Sequence, residues 1–346
     1  MACNGYYRVC AQCVGFFCRL SQGFLVSTAS IVYLSVDEAG EGQRLDNFLI
    51  RHLKGVPKTH IYRIIRSGEV RCNKGRCKVD TRLAVGDEIR VPPIRLSEKG
   101  VNEEGHIPAK SFPLLYEDND FLAINKPSGT AVHGGSGVSF GVIEQLRRAR
   151  PEANFLELVH RLDRETSGIL LIAKKKKALT ELQRQFKARE TGKVYLTLVK
   201  GHWPEKMKVV DAALAKFTLA NGERRVRVVA KDDPNALPSL SLVKVLKHHN
   251  PYPETGGEPT ALLAVTIKTG RTHQIRVHLS QQGFVIAGDD KYGDFSWNKT
   301  LESSGLARMF LHAWRLDVKH PVSGEDLRLQ CELPQVLLPW AKGQAK

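Results

Sequence analysis

The segment Leu158-Val159-His160-Arg161-Leu162-Asp163-Arg164-Glu165-Thr166-Ser167-Gly168 sets one aspartate between two arginines, on a connection between two apolar runs. Neighbouring guanidinium groups favour an ionised carboxylate, and a carboxylate so held suits a nucleophile or a base. The same pattern also describes a structural ion pair. Other chemistries find less support. No G-x-G-x-x-G opens a helix and no G-x-x-x-x-G-K-[ST] occurs, so no nucleotide cofactor is expected. His160, His273, His278 and His312 lack a tight ligand spacing such as H-E-x-x-H, and Cys10-x-x-Cys13 has no second pair after it, so no metal is expected.

An aspartate on a loop needs elements that fix it. From Pro113 onward, apolar runs at Phe121–Asn125, Leu156–His160, Ile169–Ala173, Val194–Val199 and Leu262–Lys268 read as strands. Ser139 is placed to cap a helix carrying Val142, Ile143 and Leu146, and Leu179, Leu182 and Phe186 stripe another. These elements do not alternate in a regular βαβ manner, which predicts an α+β domain. Tyr195 alternates with Val194 and Leu196, so it points to the opposite face of its strand.

Upstream lies a smaller module. Leu45, Phe48, Leu49 and Leu53 recur at helical spacing, as do Ile61, Ile64 and Ile65 after Pro57, with Gly68 as a stop. Tyr62, Arg63 and Arg66 fall away from the isoleucine stripe. Glu69–Cys72, a turn at Asn73-Lys74-Gly75, Arg76–Val79 and Asp87–Val91 read as short strands.

The chain has 346 residues and a net charge of +16, enough length for two domains and enough excess charge to suggest a polyanionic partner. The excess is uneven. Residues 44–95 hold 13 lysines and arginines against 5 acids, half of the total excess. Two helices with a basic face and a small sheet would clamp phosphates, with Arg63, Arg66, Lys74 and Arg76 as contacts. No apolar run approaches the roughly 18 residues of a membrane-spanning helix. Four of the seven cysteines lie in the first eighteen residues and the rest are scattered, which predicts a reduced, cytoplasmic protein. Residues 1–30 read as an unstructured extension or a start assigned too early. Residues 96–112 read as a linker between a module at 31–95 and a domain at 113–342.

"RLDNFL", "IYRIIRSGEVRCNKGRCK" and "VGDEIRVPP", in that order, resemble the S4-like RNA-binding domain, which reads folded RNA largely through shape and backbone. In the larger domain "NKPSGTAVHGGSG", "HRLDRETSG", "GILLIAK", "GKVYLTLVKG", "TGRTHQIRVHL" and "AGDDKYG" follow one another as in the RluA family of pseudouridine synthases. The match spans some 230 residues. With the S4-like module in front, the pattern is most similar to the C-type members, which isomerise uridines of 23S rRNA. D-type or A-type enzymes with another rRNA or tRNA target are the alternatives within the family. A non-catalytic RNA-binding assembly factor is the alternative outside it, and the intact Asp163, Tyr195 and Arg271 argue against that.

The resemblance implies a mixed, largely antiparallel sheet with flanking helices and a reaction that detaches uracil from ribose C1′ and rejoins it through C5. It assigns Asp163 as the nucleophile at C1′ or the base that takes the C2′ proton. It assigns Arg271 as the partner of Asp163 and Tyr195 as the ring that stacks on the base, with Leu171 or Ile172 as the apolar wall. A uridine within folded rRNA must flip out to reach such a pocket, at a cost of a few kcal/mol. Arg161, Arg164, Lys193, Arg276 and the His133 loop are candidates for the phosphate contacts that recover it. 23S rRNA or a large-subunit precursor is the implied partner, and the enzyme is expected to act as a monomer without a cofactor. One stretch, Asp232–Gly257, departs from the family pattern, with Ser239-Leu240-Ser241 where a serine-x-threonine strand is usual, which leaves the build of the central sheet open there.

Overall fold

The computed structural model describes residues 31–343 except Ala39, Lys54, Gly55, 95–106, 135–139 and Asn221. The proposed extension, most of the proposed linker and the Ser139 cap lie outside the described residues. The chain divides into two compact units, residues 1–104 and 105–346.

The first unit contains β1 (Val32–Ser35), α1 (Leu45–His52), α2 (Lys58–Arg66), β2 (Arg71–Cys72), β3 (Gly75–Arg76) and β4 (Glu88–Val91), with sheet order β1-β4-β2-β3. The helical apolar stripes close its core: Leu45, Phe48, Leu49, Ile61, Ile64 and Ile65 pack with Ile89 and Val91. Asp46 is buried, bonded by Arg44 at 2.8 Å and approached by the Tyr62 hydroxyl at 3.4 Å, which ties α1 to α2. The strands at 71–76 are shorter than the sequence suggests. Asn73 and Lys74 both take left-handed conformations, φ 48° and 65°, forming a two-residue hairpin turn of the kind that matches strand twist.

The second unit adds β5 (Leu114–Glu117), β6 (Phe121–Lys126), α3 (Val142–Ala149), β7 (Glu157–Leu158), β8 (Ser167–Ala173), α4 (Lys176–Ala188), β9 (Gly192–Lys200), β10 (Val209–Asp211), β11 (Ala213–Thr218), β12 (Arg224–Val229), β13 (Leu240–His249), β14 (Thr260–Ile267), α5 (Gln274–Gln281), α6 (Phe295–Ser303), β15 (Leu311–Lys319), β16 (Asp326–Gln330) and α7 (Leu338–Lys342). The main sheet runs β10-β13-β14-β9-β15-β8-β6-β5, with β16 on β15 and β7 on β8, and β11 and β12 form a separate hairpin. Its pairs are antiparallel except β15 with β8. The fold is therefore α+β on a mixed sheet. The divergent stretch holds one regular strand: β13 pairs β14 from Ser241↔Ile267 to His249↔Thr260 with one bulge.

Candidate active site

Asp163 sits on the loop from β7 to β8, half-buried, and that loop is pinned from below. Lys126 ends strand β6 and is itself fully buried; its ammonium donates to the carbonyls of Pro127 and Thr130 at 2.8 Å and of Arg164 at 3.0 Å. The Ser128 hydroxyl donates to the Glu165 carbonyl at 2.7 Å. One turn of chain after β6 thus holds both residues that follow Asp163. Burial pushes the Lys126 ammonium down to about 7, with the Glu165 and Asp163 carboxylates opposing that fall and Arg308 adding to it. Past the aspartate, Arg308 donates to the Ser167 hydroxyl at 2.8 Å, Ser167 meets His312 Nδ1 at 2.8 Å, and His312 Nε2 meets the Cys331 carbonyl at 3.0 Å.

The loop then enters the sheet at Ser167, and the next residue, Gly168, is the parallel partner of Ala313. Gly168 has φ 108°, and a β-carbon there would lie 2.3 Å from the Ala313 carbonyl oxygen, so no other residue fits. Ala313 pairs in turn with Tyr195, and Tyr195 with Val265. Two small residues therefore separate the end of the Asp163 loop from the tyrosine. Burial, then the Asp163 charge, pushes the Tyr195 phenol above its ordinary value, so it stays protonated.

The third wall is the connection from β14 to α5. Gln274 organises it: its carbonyl oxygen accepts from the Thr269 hydroxyl at 2.7 Å and the Arg271 N–H at 3.1 Å, while its amide donates to the Leu240 carbonyl and the Ser241 hydroxyl, each at 3.0 Å. Ser239 and Ser241 also bracket His278 of α5, at 3.1 and 3.0 Å. The departure at 239–241 thus supplies the hydroxyls that anchor α5. The resulting cleft is lined by Arg161, Leu162, Asp163, Thr166, Tyr195, Ile267, Leu311 and residues 270–276.

Its electrostatics revise the expected roles. Among the described residues no ion pair joins Asp163 to Arg271, whose Nε donates instead to the Pro238 carbonyl at 3.3 Å. Arg276 faces the same cleft from α5. It is buried, donates to Asp289 at 2.7 Å from Nε and to Asp290 at 2.9 Å from Nη2, and stacks its guanidinium 5.2 Å from the Tyr292 ring centre. Burial works against its charge, but Asp289, Asp163 and Asp290 outweigh burial and hold it above its ordinary value. Arg276 is thus no free phosphate contact; it is a fixed cation whose field reaches Asp163.

Leu171 and Ile172 do not line the cleft. Both are fully buried deeper along β8, in the packing beneath it, and the apolar wall comes from Leu162, Ile267, Ile275 and Leu311. Lys193 also departs from expectation: it is buried, bonded to the Thr191 hydroxyl at 2.8 Å, and held below its ordinary pKa by burial, so it does not reach out to a phosphate. Arg161 is exposed at the cleft rim; Arg164 is exposed and paired with Glu165 at 2.7 Å. His133 is exposed and outside the lining. In the first unit Arg63, Arg66, Lys74 and Arg76 are all exposed, and a shallow groove there, lined by Tyr33, Arg71, Lys74, Glu88 and Arg90, shares none of the cleft's residues. Asp118, Asp120 and His320 could meet a cation, but Lys175 already pairs with Asp120 at 3.0 Å and none of the three lines the cleft. Sequence reasoning gave no role to Lys126, Arg308 or Gln274, although Lys126 lies in NKPSGTAVHGGSG and Gln274 in TGRTHQIRVHL.

Comparison with known proteins shows the family to which the chain belongs. Residues 120–281 match the RNA pseudouridylate synthase family and residues 43–89 match the S4 domain. The chain is 47% identical over 312 residues to the ribosomal large subunit pseudouridine synthase C of Haemophilus influenzae, covering 89% of this chain and 93% of that one. It is 48% identical over 318 residues to the enzyme of the same name from Escherichia coli K12, covering 90% and 95%. Among solved structures, human RNA pseudouridylate synthase domain containing 1 superposes with a TM-score of 0.54 at 29% identity, covering 67% of this chain and 87% of that one. The chain belongs to the RNA pseudouridylate synthase family, as a pseudouridine synthase with an S4 domain ahead of its catalytic fold.

Proposed function

We propose that the protein isomerises specific uridines of 23S rRNA, in the mature RNA or a large-subunit precursor, to pseudouridine, and that Asp163 acts at the ribose of a flipped-out uridine. The observation that carries this reading is the lining of the cleft, in which Asp163 is the sole carboxylate among the described residues. Glycosidases that deliver water to a glycosidic centre generally use two carboxyl groups flanking the bond. A single carboxylate between apolar walls favours rejoining the base over hydrolysis. Tyr195 would stack on the uracil and, being protonated, keep no charge beside the Asp163 carboxylate. Arg276, rather than Arg271, would supply the cationic field at that carboxylate, and Arg271 and Arg161 at the mouth would meet the RNA backbone.

The relatives are named for the large ribosomal subunit, and the basic faces support the same substrate. Residues 31–95 would act as the clamp, through Arg63, Arg66, Lys74 and Arg76, and residues 113–342 as the catalytic body of a cytoplasmic monomer.

The test is to incubate the protein with an unmodified 23S rRNA transcript and map pseudouridine by carbodiimide-blocked primer extension. Conversion at a small set of uridines, absent with Asp163→Ala, is expected. No conversion, or conversion unaffected by Asp163→Ala, overturns the reading; conversion of tRNA alone reassigns the substrate.

A further inference from the structure

His273 adopts a backbone conformation its residue type disfavours. It stands at φ 52°, directly before α5, in the stretch of chain that lines the Asp163 cleft. A side chain in the left-handed region is strained, and such strain persists where the surroundings over-determine it. Its imidazole shows what is being held.

Nδ1 of His273 lies 2.8 Å from the Tyr292 hydroxyl, which also accepts the Val226 backbone N–H at 2.9 Å. A phenol carries one proton. Were Nδ1 to donate, the hydroxyl would accept twice and its own proton would have no acceptor among the described residues. Every group is satisfied only when Tyr292 donates to Nδ1. The single proton of a neutral imidazole then sits on Nε2, which has no protein partner among the described residues.

We infer that His273 presents Nε2–H to the cleft as a fixed, neutral donor to a carbonyl oxygen of the flipped uracil, and that Tyr292 is the positioning residue that sets this tautomer. The inference rests on the reading of the cleft as a pseudouridine synthase site. When the C1′–N1 bond breaks, its electron pair leaves with the base and the negative charge spreads onto the carbonyl oxygens. A donor aimed at one of those oxygens stabilises the detached uracil, and fixed donors are most effective in a cleft that excludes water. Neutrality matters as well, because an imidazolium would compete with the ribose for Asp163. The charged groups around the ring are Asp163 and Asp289, which favour its protonation, and Arg276 and Lys291, which oppose it; burial weighs most and keeps the ring below its ordinary pKa.

The experiment compares single-turnover conversion of the unmodified 23S rRNA transcript by the full chain, His273→Leu, His273→Gln and Tyr292→Phe. Leucine and glutamine bear the same backbone strain, so their difference isolates the N–H. His273→Leu should slow conversion about tenfold, the loss of one hydrogen bond, and His273→Gln should recover most of the rate. In Tyr292→Phe the ring loses the donor that blocks Nδ1, so the acid limb of the rate profile should move to higher pH than the parent's. Equal rates for His273→Leu and the parent, or for the two His273 variants, overturn the inference. Should His273→Leu fail to fold, a Tyr292→Phe pH profile that overlays the parent's overturns it alone. If the parent itself makes no pseudouridine, the underlying reading of the cleft fails first and the inference falls with it.

Discussion

The basic residues of the two units are used in opposite ways. In the first unit Arg63, Arg66, Lys74 and Arg76 are exposed on the hairpin and helix surface. In the second, the motif cations Lys126, Lys193 and Arg276 are buried and committed to carbonyls, a hydroxyl and carboxylates of the protein itself. Both sets count as basic residues in the sequence, although burial pushes Lys126 down to about 7 and Lys193 below its ordinary value. One set can exchange counterions with a polyanion, while Lys126 and Arg276 of the other shape the geometry and field around Asp163. A charge excess in sequence therefore measures affinity for RNA only after the buried cations are subtracted.

The sharpest way to break this division is at Arg276. Arg276→Met should lower single-turnover conversion about a thousandfold, by removing a cation whose field reaches Asp163, and should cost about 3–5 kcal/mol of stability because buried Asp289 loses its charged partner. Arg271→Met should cost no more than about tenfold, since the Arg271 guanidinium is tied to the protein through the Pro238 carbonyl and not through a carboxylate. Reversal of these two effects, in rate and in chemical denaturation, would return the pairing role to Arg271.

Lys126→Met should come next. It leaves three carbonyls without their shared donor and frees the Arg164 end of the loop, so a rate loss of about a hundredfold with about 3 kcal/mol of destabilisation is expected. A rate unchanged in a stably folded variant would show that the loop is held elsewhere.

In the first unit, replacing Arg63, Arg66, Lys74 and Arg76 together by serine should flatten the dependence of log affinity on log salt, by about 0.7–0.9 for every phosphate that the variant no longer neutralises, with the rate at saturating RNA kept. Lys193→Met should leave that slope unchanged. Equal slopes for the parent and the four-fold variant would remove the first unit from RNA binding.

A smaller effect concerns acid. Burial pushes His160 and His312 down to about 4 from an ordinary 6.5, so below pH 6.5 the unfolded chain takes up protons that the folded chain refuses. Folding stability should hold above pH 6.5 and decline as pH falls toward 4, by of order 1–3 kcal/mol for each imidazole. Denaturation midpoints that stay flat across that window would contradict the neutral assignment of both rings.

How far these features were legible in sequence depended on whether they are local. The helical stripes at Leu45–Leu53 and Ile61–Ile65, and the apolar runs at 121–125, 169–173 and 194–199, carry their period on the chain, and each became an element at nearly the expected place. Asp163 was visible because its arginines are its sequence neighbours. What the sequence hid is long-range. Leu171 and Ile172 are as apolar as Ile267 and Leu311, and only the register of the sheet decides which pair meets the cleft. Arg271 and Arg276 stand five residues apart in one motif, and only Asp289, contributed from beyond α5, separates their roles. The strand β13 was obscured by prolines and glycines on both sides, although Ser239 and Ser241 turned out to anchor α5.

The most direct test of the whole is to measure binding and chemistry side by side for Asp163→Asn on the 23S rRNA transcript. Asp163 makes no side-chain hydrogen bond among the described residues, so an isosteric amide should leave RNA affinity within about twofold while pseudouridine formation becomes undetectable. Conversion that persists in Asp163→Asn, with affinity intact, would contradict the assignment of the cleft as the site where the uridine is isomerised.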